Sequence, residues 1–229
     1  MKPVSKGVIR KMLLREKQFL SICPPFEVQP NWLIVPSEHM RRKVQPVADL
    51  IGRRVIQIYP GFIYGSGGNE LTRAALHEIP RLVMGLSPRS ARILDLGCGS
   101  GILALACARL GFKNVDGMDI SRDAIRQARL NADTNGLKVS WMTKVNTNRT
   151  YDLIIANLFG HLFFDYIPVF KKILAPGGTI YGAGFDSVQS ERLLPLYASE
   201  GFVTVPIKSA ITRWPQAEWR RATDPLKGC

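Results

Sequence analysis

The sequence predicts an α/β protein built on one mainly parallel, seven-stranded sheet with helices on both faces and an antiparallel hairpin at one edge. Three observations carry this. From residue 91 onward, short apolar runs alternate with helical patterns, and strands separated by helices imply right-handed crossovers and a covered parallel sheet. A turn with glycines at 97, 99 and 101 joins the first of these runs to an Ala/Leu-rich segment. The last two runs, FVTVPI and AEWRRAT, have no helical pattern between them, which calls for a hairpin.

Taken in order, VIRKMLLREKQFL (8–20) spaces Ile9, Met12, Leu13 and Leu20 along one helical face and its basic residues elsewhere, a short basic amphipathic helix. Cys-Pro-Pro at 23–25 ends it. FEVQPNWLIVPS (26–37) reads as two extended segments turning at Pro30-Asn31, and the second half of GRRVIQI, within 40–58, reads as a strand. YPGFIYGSGGNELTRAAL (59–76) is a glycine-rich loop feeding a helix. Then come ARILDL, a helix over about 100–110, NVDGMDI, a helix over about 122–134, KVSWM, YDLIIAN, a helix over about 161–174, GGTIYGAGF and a helix over about 188–199 before the hairpin. The expected division is an N-terminal extension, residues 1–58, and an α/β domain, residues 59–229.

Composition narrows the class. No apolar run approaches the ~20 residues of a membrane span, and no hydrophobic signal region follows the N-terminus, so a soluble, cytoplasmic protein is expected. Cys23, Cys98, Cys107 and Cys229 have neither zinc-ligand nor CxxC spacing, so reduced thiols and no metal site are expected. The net charge of +13 is concentrated early: +7 in residues 1–60, +5 in 61–150 and +1 in 151–229. That bias suits docking of an acidic partner.

The glycine turn, ILDLGCGSGILALACARLGF (93–112), fails the dinucleotide fingerprint, which needs a third glycine where Ile102 stands. It also lacks the Gly-Lys-Ser/Thr ending of a P-loop. Instead Asp95 ends the first strand, where a carboxylate repels pyrophosphate and attracts a cationic amino group. Asp119 ends the second strand, placed to take both ribose hydroxyls of an adenosine. Adenosine without phosphate, carrying a charged amino-acid tail, describes S-adenosylmethionine, with S-adenosylhomocysteine as product. Asn157 ends the fourth strand of the domain at the ligand-binding edge, where it can orient an amine or hold the methionine carboxylate. Thr72 opens the helix after the glycine-rich loop.

PGFIYGSGGNELT, LDLGCGSGILALA, GMDISRDAIRQARLNADTNG and YDLIIANL together resemble the PrmA-type methyltransferases, which methylate ribosomal protein L11 on amino groups. NWLIVPS, LAPGGTIYGAGF and AEWRRA extend the resemblance over roughly residues 26–222. It implies a Rossmann-like class I methyltransferase fold and cofactor contacts at Thr72, Gly97, Asp119 and Asn157. Tyr64, Gly65, Asp95, Gly99, Gly101 and Ile120 complete the cofactor-binding candidates, and Asn157 and Phe159 are the catalytic ones. The chain departs from that family where Asn69 and Leu71 replace a His and a Thr; GGNELTR is similar instead to the loop of lysine methyltransferases acting on the electron-transfer flavoprotein β subunit. About 25 residues precede the resemblance, so the family's separate substrate-recognition domain is expected to be missing. KVSWMTKVN offers no acidic residue for the adenine amino group, a role left to a backbone carbonyl.

The resulting expectation is an N-methyltransferase acting on amino groups of a protein or peptide, Asn157 and backbone oxygens around Leu158 and Phe159 orienting the amine. Tyr64, Phe159 and Trp32 are candidates to wall the cationic methyl. The alternatives are a small-molecule acceptor and a cofactor-binding scaffold without activity. A nucleic-acid acceptor fits poorly, because Asn157-Leu158-Phe159 lacks the Pro-Pro of that motif.

Overall fold

The computed structural model describes residues 26–28, 32–36, 38–50, 52–59, 69–207 and 212–221. The helix expected over 8–20 and the glycine-rich loop with Tyr64 and Gly65 lie outside them.

A small three-stranded sheet comes first. β1 (Phe26–Val28) and β2 (Trp32–Val35) are antiparallel, and β3 (Arg54–Gln57) runs parallel to β2. Parallel neighbours need a crossover, which α1 (Glu38–Leu50) supplies. The sequence reading gave no helix here: MRRK and an internal Pro46 obscure the pattern. The apolar face of this sheet joins the main core, for Val28, Trp32, Ile34 and Ile56 share one buried cluster with Leu76, Ile79 and Ile93. Trp32 is therefore a core residue, 1% exposed, and the expectation that it walls the methyl group is corrected. Its ring is large and apolar, and the cluster buries it whole.

α2 (Glu70–Leu82) then leads into β4 (Arg92–Leu96), α3 (Ile102–Arg109), β5 (Asn114–Met118), α4 (Arg122–Asn135), β6 (Ser140–Met142) and β7 (Tyr151–Asn157). The chain continues through α5 (Leu162–Asp165), α6 (Ile167–Ile173), β8 (Leu174–Ala183), α7 (Ser187–Ser199), β9 (Phe202–Ile207) and β10 (Gln216–Arg221). The single helix expected over 161–174 is two, because Pro168 at the start of α6 has no N–H to continue α5.

The large sheet has the order β6-β5-β4-β7-β8-β10-β9, parallel except for β10, which pairs antiparallel with both β8 and β9. This is the seven-stranded, edge-hairpin sheet the sequence predicts. Two apolar clusters cover its faces, one containing residues of α2, α3 and α4, the other residues of α5, α6 and α7. The central strands β4 and β7 are largely buried and mostly apolar, with Arg92 and Asp152 near their starts and Asp95 and Asn157 near their C-terminal ends as the charged or amide residues. At the C-terminal edge strand order reverses between β4 and β7, where open α/β sheets bind ligands.

Candidate functional site

The three candidate strand ends meet at that edge. After β4 the chain turns through Gly97, Gly99 and Gly101, all at positive φ (72°, 51° and 80°). Gly97 also needs to be small: a Cβ there would sit 2.3 Å from Leu158 Cδ2. The β4 loop is thus pressed against the residue that follows Asn157. Gly97 and Cys98 both donate their N–H to the Met118 carbonyl, and Gly99 N–H reaches Asp119 Oδ2 at 2.9 Å. The other oxygen of Asp119 accepts Ser121 N–H at 2.9 Å, and Ser121 caps α4. A single carboxylate thereby ties the glycine loop to the start of α4 while staying half-buried at the site. Ile120, beside it, is 82% exposed.

Asp95 lies deeper than the sequence suggests. It is 1% exposed and accepts the Ala104 N–H of α3 at 3.0 Å. Burial, outweighing that hydrogen bond, and the charge of Asp119 push its carboxyl up to about 7. Neither carboxylate has an ion-pair partner among the described residues. The floor of the site is acidic and uncompensated, which favours a cationic ligand and opposes pyrophosphate. The Cys98 thiol, in the same loop, is pushed up by burial and by both carboxylates. It packs rather than reacts.

Asn157 ends β7 half-buried, its Cα opposite Ala183. The next residues are held from behind: Leu158 N–H donates to the Ala183 carbonyl, and the Leu158 carbonyl leaves no room for a side chain at Gly184, 2.0 Å from where its Cβ would be. Phe159 is 72% exposed and stacks with His161, centroids 6.2 Å apart. It presents a free aromatic face beside Asn157.

Thr72 sits in the first turn of α2, 1% exposed, and its Oγ1 has no hydrogen-bond partner. Buried hydroxyls are normally paired, so this orphan fits an absent polar ligand. Asn69 caps α2 by accepting Leu71 N–H at 2.7 Å. That is a structural role for one position where the loop departs from the resembled family.

Two positions escape sequence reasoning. Asn131, fully buried on α4, donates to the Ser100 carbonyl at 2.8 Å and accepts Tyr59 N–H at 2.7 Å. It bridges the glycine loop to the chain entering residues 60–68. Asn135, one turn on, accepts Gln57 N–H and donates to the Gln57 carbonyl. Their four-residue spacing on a face shared with Ala124, Ala128 and Ala132 was the available signal. Tyr166, half-buried between α5 and α6, has its hydroxyl pushed up by burial and by the charge of Asp119.

This assembly matches known proteins. The model of the ribosomal protein L11 methyltransferase (PrmA) family matches residues 16–223. The chain belongs to the ribosomal protein L11 methyltransferase family. Among the family's curated members, that of Dechloromonas aromatica is 33% identical over 76% of this chain and 55% of its own, and that of Haemophilus influenzae 25% identical over 96% and 70%. The crystal structure of the ribosomal protein L11 methylase from Lactobacillus delbrueckii subsp. bulgaricus aligns with a TM-score of 0.73 and 27% identity, covering 86% of this chain and 98% of that one. The magnesium protoporphyrin IX methyltransferase of Synechocystis with bound SAM, 18% identical with a TM-score of 0.52, shares the fold. The chain spans about half to three-fifths of the length of the first curated relatives it matches, 55%, 61% and 51%. No helix among the described residues is long and apolar enough to cross a membrane, and no group of three or more His, Cys, Asp and Glu there is placed to hold a metal ion.

Proposed function

We propose that the chain is an S-adenosylmethionine-dependent N-methyltransferase whose acceptor is an amino group of a protein or peptide. The observation that carries this is the uncompensated acidic floor, Asp95 and Asp119 under the glycine loop, set beside Asn157 at the strand-order switch. When bound, the cofactor supplies a sulfonium-activated methyl group. Asp119 is placed for the ribose hydroxyls, Thr72 Oγ1 and the loop from Gly97 to Gly101 for the remaining polar groups, and Asp95 attracts the cationic tail through the loop it underlies. Tyr64, Gly65 and Ile120 join them as cofactor contacts.

The chemistry asks the protein chiefly for alignment and exclusion of water. Asn157 offers its side-chain oxygen to an amine N–H and so points the nitrogen lone pair toward the methyl carbon. Methyl transfer to an amine so held would break the cofactor's C–S bond and leave a neutral thioether, with the amine proton passing to solvent. Phe159 presents its ring face to the developing cation. The relatives are named for ribosomal protein L11, which makes that protein the first acceptor to try, and a net charge of +13 suits an acidic docking region on the acceptor.

The test is transfer of labelled methyl from S-adenosylmethionine into recombinant bacterial L11 and into a fractionated lysate of cells lacking this protein. Label in a protein or peptide band, on lysine or an N-terminal amine by mass spectrometry, is expected. Label confined to small molecules would overturn the acceptor class, and no label in any fraction would overturn the activity.

A further inference from the structure

Among the described residues, five buried side-chain polar atoms have no hydrogen-bond partner: Trp32 Nε1, Thr72 Oγ1, Arg109 Nε, Gln216 Nε2 and Trp219 Nε1. Three are remote from the strand ends that build the site. Trp32 belongs to the small sheet, Arg109 to the last turn of α3, and Trp219 to the opposite face, where its ring fills the space beside Gly182. Thr72 is absorbed by the cofactor site. Gln216 is not.

Gln216 opens β10 with its Cα opposite Ala183, and Ala183 lies opposite Asn157. Residues paired across neighbouring strands share a face, so Asn157, Ala183 and Gln216 form one row along the C-terminal edge, and two strand spacings put Gln216 about 10 Å from Asn157. The cofactor loops rise from β4 and β5, on the other side of β7. Whatever meets Gln216 therefore approaches Asn157 from the side away from the cofactor, which is where a methyl acceptor must enter. The amide is already oriented. Tyr181, on the same face one step below the row, donates its hydroxyl to Gln216 Oε1 at 2.6 Å. That commits the acceptor end and leaves Nε2 with two N–H groups inside a side chain only 2% exposed. A donor buried without a partner costs free energy, and a bound acceptor relieves that cost.

We propose that Gln216 is an acceptor-binding residue, its Nε2 donating a hydrogen bond to a carbonyl oxygen of the peptide that carries the target amine. The inference rests on the amine-methyltransferase reading above. It makes the Tyr181–Gln216 pair a specificity element for a peptide-like acceptor, held ready by the far half of the sheet.

The test is the double variant Tyr181→Phe/Gln216→Met, which removes both members so that no polar group is stranded. If the pair serves the acceptor, the ligand-free variant melts at or above the wild-type Tm, because removing a buried pair and its orphan donor in favour of apolar groups is neutral or stabilising. With recombinant L11 as acceptor, KM rises about tenfold while kcat and the titrated Kd for S-adenosylmethionine stay within twofold, as expected for loss of one ground-state hydrogen bond. Unchanged KM, or a lowered Tm, would overturn the proposal by showing the pair to be structural. Failure of the wild type to methylate L11 or any lysate protein would overturn the reading of function, and the proposal, which rests on it, would fall with it.

Discussion

Replacing Asp95 with Asn tests the acidic floor without altering its shape. The carboxyl is buried and its titration raised from an ordinary 3.8 to about 7. The folded state therefore binds this proton more tightly than the unfolded chain. The stability it contributes is full below about pH 4 and is lost as the pH rises to about 7, a displacement worth about 4 kcal/mol. Asn keeps an oxygen for the Ala104 N–H, which Asp95 accepts at 3.0 Å, but does not ionise. Urea unfolding of both proteins from pH 4 to 8 should show nearly equal stability at the acid end. Asp95→Asn should gain progressively, by about 4 kcal/mol at pH 8. A cationic cofactor reverses the preference, so the variant should bind it more weakly and release fewer protons on binding at pH 6 to 7. A stability difference that does not change with pH would refute the claim that Asp95 is an uncompensated buried acid.

Two further substitutions probe the loops around it. Asn131→Leu removes the hydrogen bonds that this side chain makes to the Ser100 carbonyl and the Tyr59 N–H; a loss of about 3 kcal/mol in urea unfolding, together with weaker cofactor binding by titration, is expected. Gly97→Ala forces a left-handed residue at φ 72° and drives its Cβ into Leu158. Backbone strain alone costs about 1–2 kcal/mol, and displacement of Leu158 should lower both Tm and cofactor affinity.

The sequence made the large sheet legible because its strands are short, apolar and separated by helices, and because FVTVPI and AEWRRAT follow one another directly. The residues Asp95, Asp119 and Asn157 were legible for a related reason: each is a polar residue at or next to the C-terminal end of a strand-like run. Features set by tertiary packing were not. A fully buried Trp32 and an exposed Phe159 look alike in one dimension, and only the small sheet's docking against the main core separates them. α1 is required by the parallel pairing of β2 with β3, a long-range fact its charged run and Pro46 conceal. Asn131 acts on backbone atoms of residues 59 and 100, contacts between segments distant in the chain. The depth of Asp95 follows from α3 closing over it through the Ala104 N–H.

Calorimetric titration with S-adenosylmethionine tests whether the glycine loop and its two carboxylates form a site for a cationic, adenosine-bearing cofactor. Saturable binding at one site per chain, weakened at least tenfold by Asp119→Ala and absent with a dinucleotide, is the predicted result. No heat of binding from S-adenosylmethionine, or equal affinity in Asp119→Ala, would contradict it.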